Sequence, residues 1–167
     1  MTTPARPTTR PASRTTLITL AVAGAVVGID QLTKAWAVRH LRDGRTIDLI
    51  WTLRLNLTFN SGMAFSQGRG LGPLIGVVAL VVIVVLLASL RRSASVANAI
   101  ALGLVIGGAA SNILDRLFRS GDGFLSGQVV DFIDFQWYPV FNLADSAIVV
   151  GGILLLFLSF RAARAER

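Results

Sequence analysis

The stretch GQVVDFIDFQWYPVFNLADSAIVVGGILLLFLSF, Gly127–Phe160, decides the fold. From Ala147 to Phe160 it carries no charge, which marks a segment made for lipid. Just upstream stand Asp131, Asp134 and Asp145. A chain that sets carboxyls against a hydrocarbon segment pays for them in desolvation, so each needs a partner or a function.

Working outward, the same apolar character recurs. Of the 167 residues, 53% are hydrophobic and only 15% charged, more apolar surface than a soluble domain of this length can bury. Four segments meet the span length of roughly 17–25 apolar residues: about 17–38, 71–90, 96–118 and 143–160. The first has the basic flank of a signal peptide but is too long and holds Asp30 and Lys34, so it reads as a retained helix. The sequence therefore predicts an all-α membrane protein. It is a bundle of four transmembrane helices in one membrane domain, residues 17–160, with a small extracytoplasmic β-element between helices 1 and 2.

That β-element is expected at about 46–66. Ile47, Leu49, Trp51, Leu53, Leu55, Leu57 and Phe59 alternate with mostly polar neighbours, the period of a strand with one apolar face. Such a strand rests on the membrane surface or pairs with an extended peptide at its edge. Residues 1–16 read as a disordered tail rich in Thr, Pro and Arg, and 161–167 as a basic tail. Small residues spaced by four, Gly24 with Gly28, Gly72 with Gly76, and Gly103 with Gly107 and Ser111, read as helix-packing faces.

The 16 Lys and Arg against 9 Asp and Glu give a net charge of +7. These basic residues flank apolar runs, so they read as orientation signals and contacts for anionic headgroups, not as a nucleic-acid site. Arg6, Arg10 and Arg14, the pair Arg91 and Arg92, and Arg161, Arg164 and Arg167 would then lie in the cytoplasm with both termini. The outer connections also hold Arg39, Arg42, Arg45, Arg54, Arg69 and Arg119, so the charge bias is moderate.

Depth brings the carboxyls together. Asp30 falls about 20 Å from the inner edge of its helix. Asp115 ends span three, Asp145 begins span four and Asp131 lies in the loop between them. Structural roles stand beside functional ones. Asp30 and Lys34 are spaced to pair on one helix face. Asn112, Asp115 and Arg116 share a face of span three, with Arg116 able to clamp a carboxylate or a loop carbonyl. Asn142 and Asp145 suit a helix cap. Asp131 has no such structural reason, and Asp134 reads as a solvated or turn-forming residue.

The absence of Cys excludes thiol chemistry, and His40, the only histidine, gives no zinc set. Lys34, the only lysine, lies one turn from Asp30, which favours the ammonium over a neutral base. What remains is a carboxyl pair sharing one proton and activating water, for which Asp131 and Asp145 are the natural candidates. A proton-coupled carrier would instead spread its charges along a transmembrane path, and the inner halves of the spans lack them.

Five motifs in order go further: DQLTK (Asp30–Lys34), FNSGMAF (Phe59–Phe65), GGAASNILDR (Gly107–Arg116), VVDF (Val129–Phe132) and FNLADSAI (Phe141–Ile148). Together they resemble the lipoprotein signal peptidase family, signal peptidase II. The resemblance implies an aspartyl endopeptidase of the bacterial inner membrane that cuts diacylglyceryl-modified prolipoproteins before the lipidated cysteine. It implies Asp131 and Asp145 as the catalytic pair. Asn112, Asp115, Arg116 and Asn142 would shape the site, Asp30 and Lys34 support it, and Asn60 with Gly62 belong to a substrate-contacting loop. It further implies inhibition by the cyclic peptide globomycin. A monomer with membrane lipids as partners is expected, and the residues point to no metal, cofactor or nucleic acid. Two departures are visible. Residues 117–130 are longer than in many members, with a Gly–Asp–Gly turn expected to loop outward, and Ser111 replaces a glycine.

Overall fold

The computed structural model describes residues 14–62, 71–89, 95–119, 121 and 123–165. Expectations for residues 1–13, 63–66, Arg69, Arg91, Arg92, Asp122 and 166–167 fall outside these. Four helices long and apolar enough to cross a membrane are present: α1 (Arg14–His40), α2 (Gly72–Ser89), α3 (Val96–Phe118) and α4 (Leu143–Ala165). Three strands complete the fold: β1 (Thr46–Ile50), β2 (Leu53–Asn60) and β3 (Val129–Asp134). α1 begins before Leu17 and α4 continues past Phe160, because the flanking residues extend the helical turns beyond the apolar windows.

α3 is the central helix. Of its apolar window 61% is buried inside the protein, against 11% for each of the other three. It packs against α1 and α4, and less extensively against α2. Small residues permit the close approach. A Cβ at Gly107 would lie 2.7 Å from the Ala23 carbonyl oxygen of α1, and one at Gly108 would strike the Ala144 carbonyl of α4. Gly76 receives the Leu125 side chain. Gly24 and Gly28 break the expectation: an added Cβ at either meets nothing within 4 Å, so α1 packs through Thr19, Val22, Ala23 and Val26 instead. The glycines lie on α1, but the groove that requires glycine lies on α3.

The sheet also differs from the sequence reading in two ways. The alternating stretch is not one strand. It turns at Trp51 and Thr52 into an antiparallel β1–β2 hairpin, with Trp51 at φ 51° and 91% exposed. No Asn-Gly or similar pair announced this two-residue turn. Second, the expected loop around Asp131 is a strand. β3 pairs antiparallel with β2, setting Thr58 opposite Asp131 and Asn60 opposite Val129. Its other side bonds to Phe141, where Phe132 N–H and Ile133 N–H both donate to the Phe141 carbonyl. The sheet order is β1-β2-β3, so Asp131 is held on both flanks.

The lengthened 117–130 segment loops outward only in part. Gly123 and Phe124 are exposed, but Leu125 is fully buried against Gly76. Gly127 sits among the carbonyls of Asp115, Arg116 and Arg119, each 2.7 Å from where its Cβ would be. The expected Gly107→Ala variant is destabilised by about 1–3 kcal/mol, since backbone on α1 must move. Gly24→Ala should stay within about 0.5 kcal/mol of the parent. Thermal unfolding of the two purified variants in the same detergent tests the difference.

Candidate functional site

The site begins with one ammonium. Lys34 Nζ, fully buried on α1, lies 2.7 Å from Asp30 Oδ2, 2.9 Å from Asp115 Oδ2 and 2.9 Å from Asn112 Oδ1. An ammonium has three protons, and these three acceptors use them all. Each acceptor then fixes another element. Asp30 Oδ1 accepts from the Ala144 N–H at 2.9 Å, capping the first turn of α4 from another helix, while its Oδ2 takes the Ser111 hydroxyl. Asp115 Oδ2 accepts from the Val130 N–H of β3 at 3.2 Å. Its Oδ1 takes Arg119 Nε at 2.6 Å and Gln31 Nε2 at 3.1 Å. Asn112, oriented by Lys34, donates to Asp145 Oδ1 at 2.8 Å.

Asn142 joins this cluster to the last two aspartates. Its Oδ1 accepts from the Asp145 N–H at 2.9 Å, and Asp145 Oδ2 accepts from the Asn142 N–H at 3.2 Å. This reciprocal cap is the box expected where a helix opens with a capping residue and an acid three positions on. The Asn142 Nδ2 is then free to donate to Asp131 Oδ1 at 2.6 Å and to Asn112 Oδ1 at 3.2 Å. Asp131 Oδ2 accepts from Asn60 Nδ2 at 3.0 Å, and Asn60 Oδ1 holds the Gly62 N–H. Asp131 and Asp145 are thus joined through one asparagine, and each keeps acceptor capacity beyond these bonds.

Electrostatics separates Asp131 from an ordinary carboxylate. Burial, and then the charge of Asp145, push its carboxyl up to about 7, against the hydrogen bonds from Asn60 and Asn142 and the more distant Lys34 charge. Beside the pair lies a cavity of about 340 Å³ lined by Asn60, Gly62, Asn112, Arg116 and Asp145, with apolar walls from α2 and α4 that include Ile75, Ala79 and Ile148. Asp145 faces this space directly; Asp131, 1% exposed, adjoins it through Asn60.

All ten residues singled out in the sequence fall within this one constellation. Arg116 takes the second of its two anticipated roles, with its Nη1 directed at the Gly127 carbonyl at 3.5 Å. Asp134 is a correction. It is buried, not solvated: Arg54 Nε (2.8 Å) and Asn56 Nδ2 bond its Oδ2, and the Gln136 N–H bonds its Oδ1. Burial alone would raise its carboxyl, but these donors outweigh burial and hold it below the usual range. Gln31, Ser111 and Arg119 were missed as members of the network. Arg119 is one turn from Asp115, a spacing that would have found it, whereas Gln31 reaches Asp115 and Ser111 across the α1–α3 contact, which no local spacing shows. Among the described residues, Thr52 Oγ1 is the single buried side-chain polar atom without a partner, so every buried polar atom of the cluster has at least one.

Four spans, a small sheet and a hydrogen-bonded acid cluster opening on a cavity define a multi-pass membrane protein with a buried carboxylate site. The sequence profile of the family described as Signal peptidase (SPase) II matches residues 22–161, and the chain belongs to that family. It is accordingly a membrane protease of lipoprotein processing that removes signal peptides from prolipoproteins. The chain is similar to the lipoprotein signal peptidase of Rhodococcus jostii (strain RHA1), at 43% identity over 144 residues, 86% of this chain and 72% of that one. It is similar also to that of Mycobacterium avium (strain 104), at 42% over 154 residues, 92% and 84% of the two chains. Two solved structures described as bacterial membrane enzymes, determined by the in meso method at 2.3 and 1.9 Å resolution, have TM-scores of 0.77 and 0.71. They are 25% and 26% identical, covering 89% and 84% of this chain and 91% and 90% of theirs.

Two outcomes follow from the site's physics. Lys34→Met leaves Asp30 buried without a counter-ion and Asp115 with Arg119 alone, and is expected to cost about 3–5 kcal/mol of stability in thermal unfolding. For Asp131, the folded value near 7 lies above the ordinary 3.8. Its contribution to stability is therefore fully present below 3.8 and is lost as pH rises through about 7. Asp131→Asn removes that loss, so its melting temperature relative to the parent should rise across this window, by several degrees or more at pH 8. Parallel melting curves from pH 4 to 8 check the sign.

Proposed function

We propose that Asp131 and Asp145 are the catalytic pair of an aspartic endopeptidase that cuts diacylglyceryl-modified prolipoproteins on the N-terminal side of the lipidated cysteine. The observation that carries this reading is the Asn142 bridge. One side chain orients both carboxyls, while Asp131 is held near pH 7, where it keeps a proton in the resting pair. Asp145, facing the cavity, takes a proton from water as the oxygen attacks the amide carbonyl. Asp131 donates its hydrogen to the carbonyl oxygen. The resulting diol collapses as the amide nitrogen receives a proton from the pair, and the peptide bond breaks to a free carboxyl and a free amine. No metal or covalent intermediate is required.

The other residues act through position. Asn112 and Asn142 set the carboxyl planes, and Asp30, Lys34, Asp115 and Arg116 hold α1, α3, α4 and the β3 approach in register. Asn60 and Gly62 lie where the loop meets a bound peptide. The apolar walls of the cavity suit the lipid-bearing cysteine and the signal-peptide helix, neither of which leaves the bilayer. In this reading the enzyme is a monomer in the bacterial inner membrane, with both termini cytoplasmic and the site near the outer leaflet, and globomycin occupies the cavity in place of substrate. The basic ends at Arg14 and at Arg161 and Arg164 support that orientation.

Asp131→Asn and Asp145→Asn are each expected to insert and fold, and to lower cleavage of a diacylglyceryl prolipoprotein by about 10³-fold or more. Normal turnover by either would remove the pair from the mechanism. Cleavage by the parent should decline as pH rises above about 7, where Asp131 gives up its proton. The unmodified prolipoprotein should be cut poorly at every pH.

A further inference from the structure

A second cavity, of about 520 Å³, is lined by Gln31, Ala35, Val38, Arg39, Arg42 and Arg119. It shares no lining residue with the first. Three guanidiniums from three different elements converge on it: the last turn of α1, the 3-10 turn Arg42–Gly44 and the residue following α3. The charges do not cancel. Lys34 and Arg119 together balance Asp30 and Asp115, to which they are paired. Among the described residues, neither Arg39 nor Arg42 pairs with a carboxylate, and Asp43 is exposed beside them without an ion pair. Arg39 and Arg42 against Asp43 leave a net positive charge around an open site.

Placement makes these charges informative. They stand at the end of the bundle that carries the sheet and the acid cluster, opposite Arg14, Arg161 and Arg164. An orientation signal fills one end of a membrane protein with basic residues and leaves the other poor in them. Complementing the α1 dipole accounts for Arg39 alone. It does not account for Arg42, which lies beyond the helix, or for Arg119, which closes the same cavity from α3.

We propose that this cavity binds the phosphodiester of an anionic phospholipid, with Arg39, Arg42 and Arg119 as its ligands. Guanidinium is the side chain best matched to phosphate oxygens, since it offers paired donors in a plane. Arg119 commits its Nε to Asp115 and retains its two terminal amino groups for the anion. The source is membrane lipid and not free phosphate because apolar side chains adjoin the site. Ala35 and Val38 form part of its walls, and Leu32, Leu117 and Phe118 on the same two helices are exposed apolar side chains, Phe118 at 80% and Leu32 at 72%. Arg119 also bonds the acid that holds β3, so an occupied site would brace Asp115 from the side opposite Lys34.

Native mass spectrometry of the full chain, released from detergent with phosphatidylglycerol, phosphatidylcholine or inorganic phosphate, tests the proposal. The expected result is retention of one phosphatidylglycerol at least tenfold more strongly than phosphatidylcholine. Arg39→Gln/Arg42→Gln should lose this preference about tenfold, while Arg14→Gln at the far end of α1 keeps it. The single variant Arg42→Gln should fall between, and an unchanged melting temperature in lipid-free detergent would show that the substitutions leave the fold intact. Equal retention of the two lipids by the parent, or an undiminished preference in the double variant, would overturn the proposal. Displacement of the lipid by inorganic phosphate at equal concentration would overturn its assignment to a lipid.

Discussion

One buried ammonium constrains the whole site. Lys34 is the only lysine in the chain, and its three protons are spent on Asp30, Asp115 and Asn112. Removing such a group from water costs several kcal/mol, and only good geometry and further hydrogen bonds offset it. Here both carboxylates that meet it also accept from backbone: Asp30 from the start of α4 and Asp115 from β3. The ion cluster is therefore less a source of net stability than a device for register. It leaves each of three elements one low-energy position relative to α1.

That register is what the proposed catalytic carboxyls inherit. Asp131 and Asp145 come from a strand and a helix that meet only at their ends, and a shift of a single residue along β3 would turn Asp131 to the opposite face of the sheet. The Val130 N–H bond to Asp115 and the Phe141 bridge hold the strand, while the Asn142–Asp145 cap holds the helix. Asn142 takes part in both. Its carbonyl oxygen caps α4 and its amide reaches Asp131, so the same residue that starts the helix also sets the distance across the pair. The small residues of α3 serve the same end, because Gly107 and Gly108 allow α1 and α4 to come close enough for these short bonds.

The four helices and the membership of the acid cluster were legible in the sequence because both follow from local rules. Apolar length marks a span, and a charge inside one must have a partner at a neighbouring turn or at the same depth. The sheet was legible only by half. The alternation from Ile47 to Phe59 shows that strand is favoured, but it continues unbroken through Trp51, whose left-handed backbone is imposed by pairing and not by a turn-forming residue. VVDFID reads as a loop because it lacks a clear alternation; it is buried on nearly every position, and a strand enclosed on both faces loses its period. Gly24 and Gly28 misled for the opposite reason. Their spacing satisfies the packing rule, yet which face of α1 meets α3 is chosen by Lys34 and Thr19.

The central claim is that this framework holds Asp131 as a buried acid coupled to Asp145, so that the pair keeps one proton at neutral pH. Titration of the intact protein in lipid nanodiscs, with ¹³C-labelled aspartate side chains followed by NMR and the Asp131 signal assigned by its Asn variant, measures this directly. The account predicts a midpoint for Asp131 of about 7. A midpoint near the ordinary 3.8, with Asp131 fully ionised at neutral pH, would contradict it.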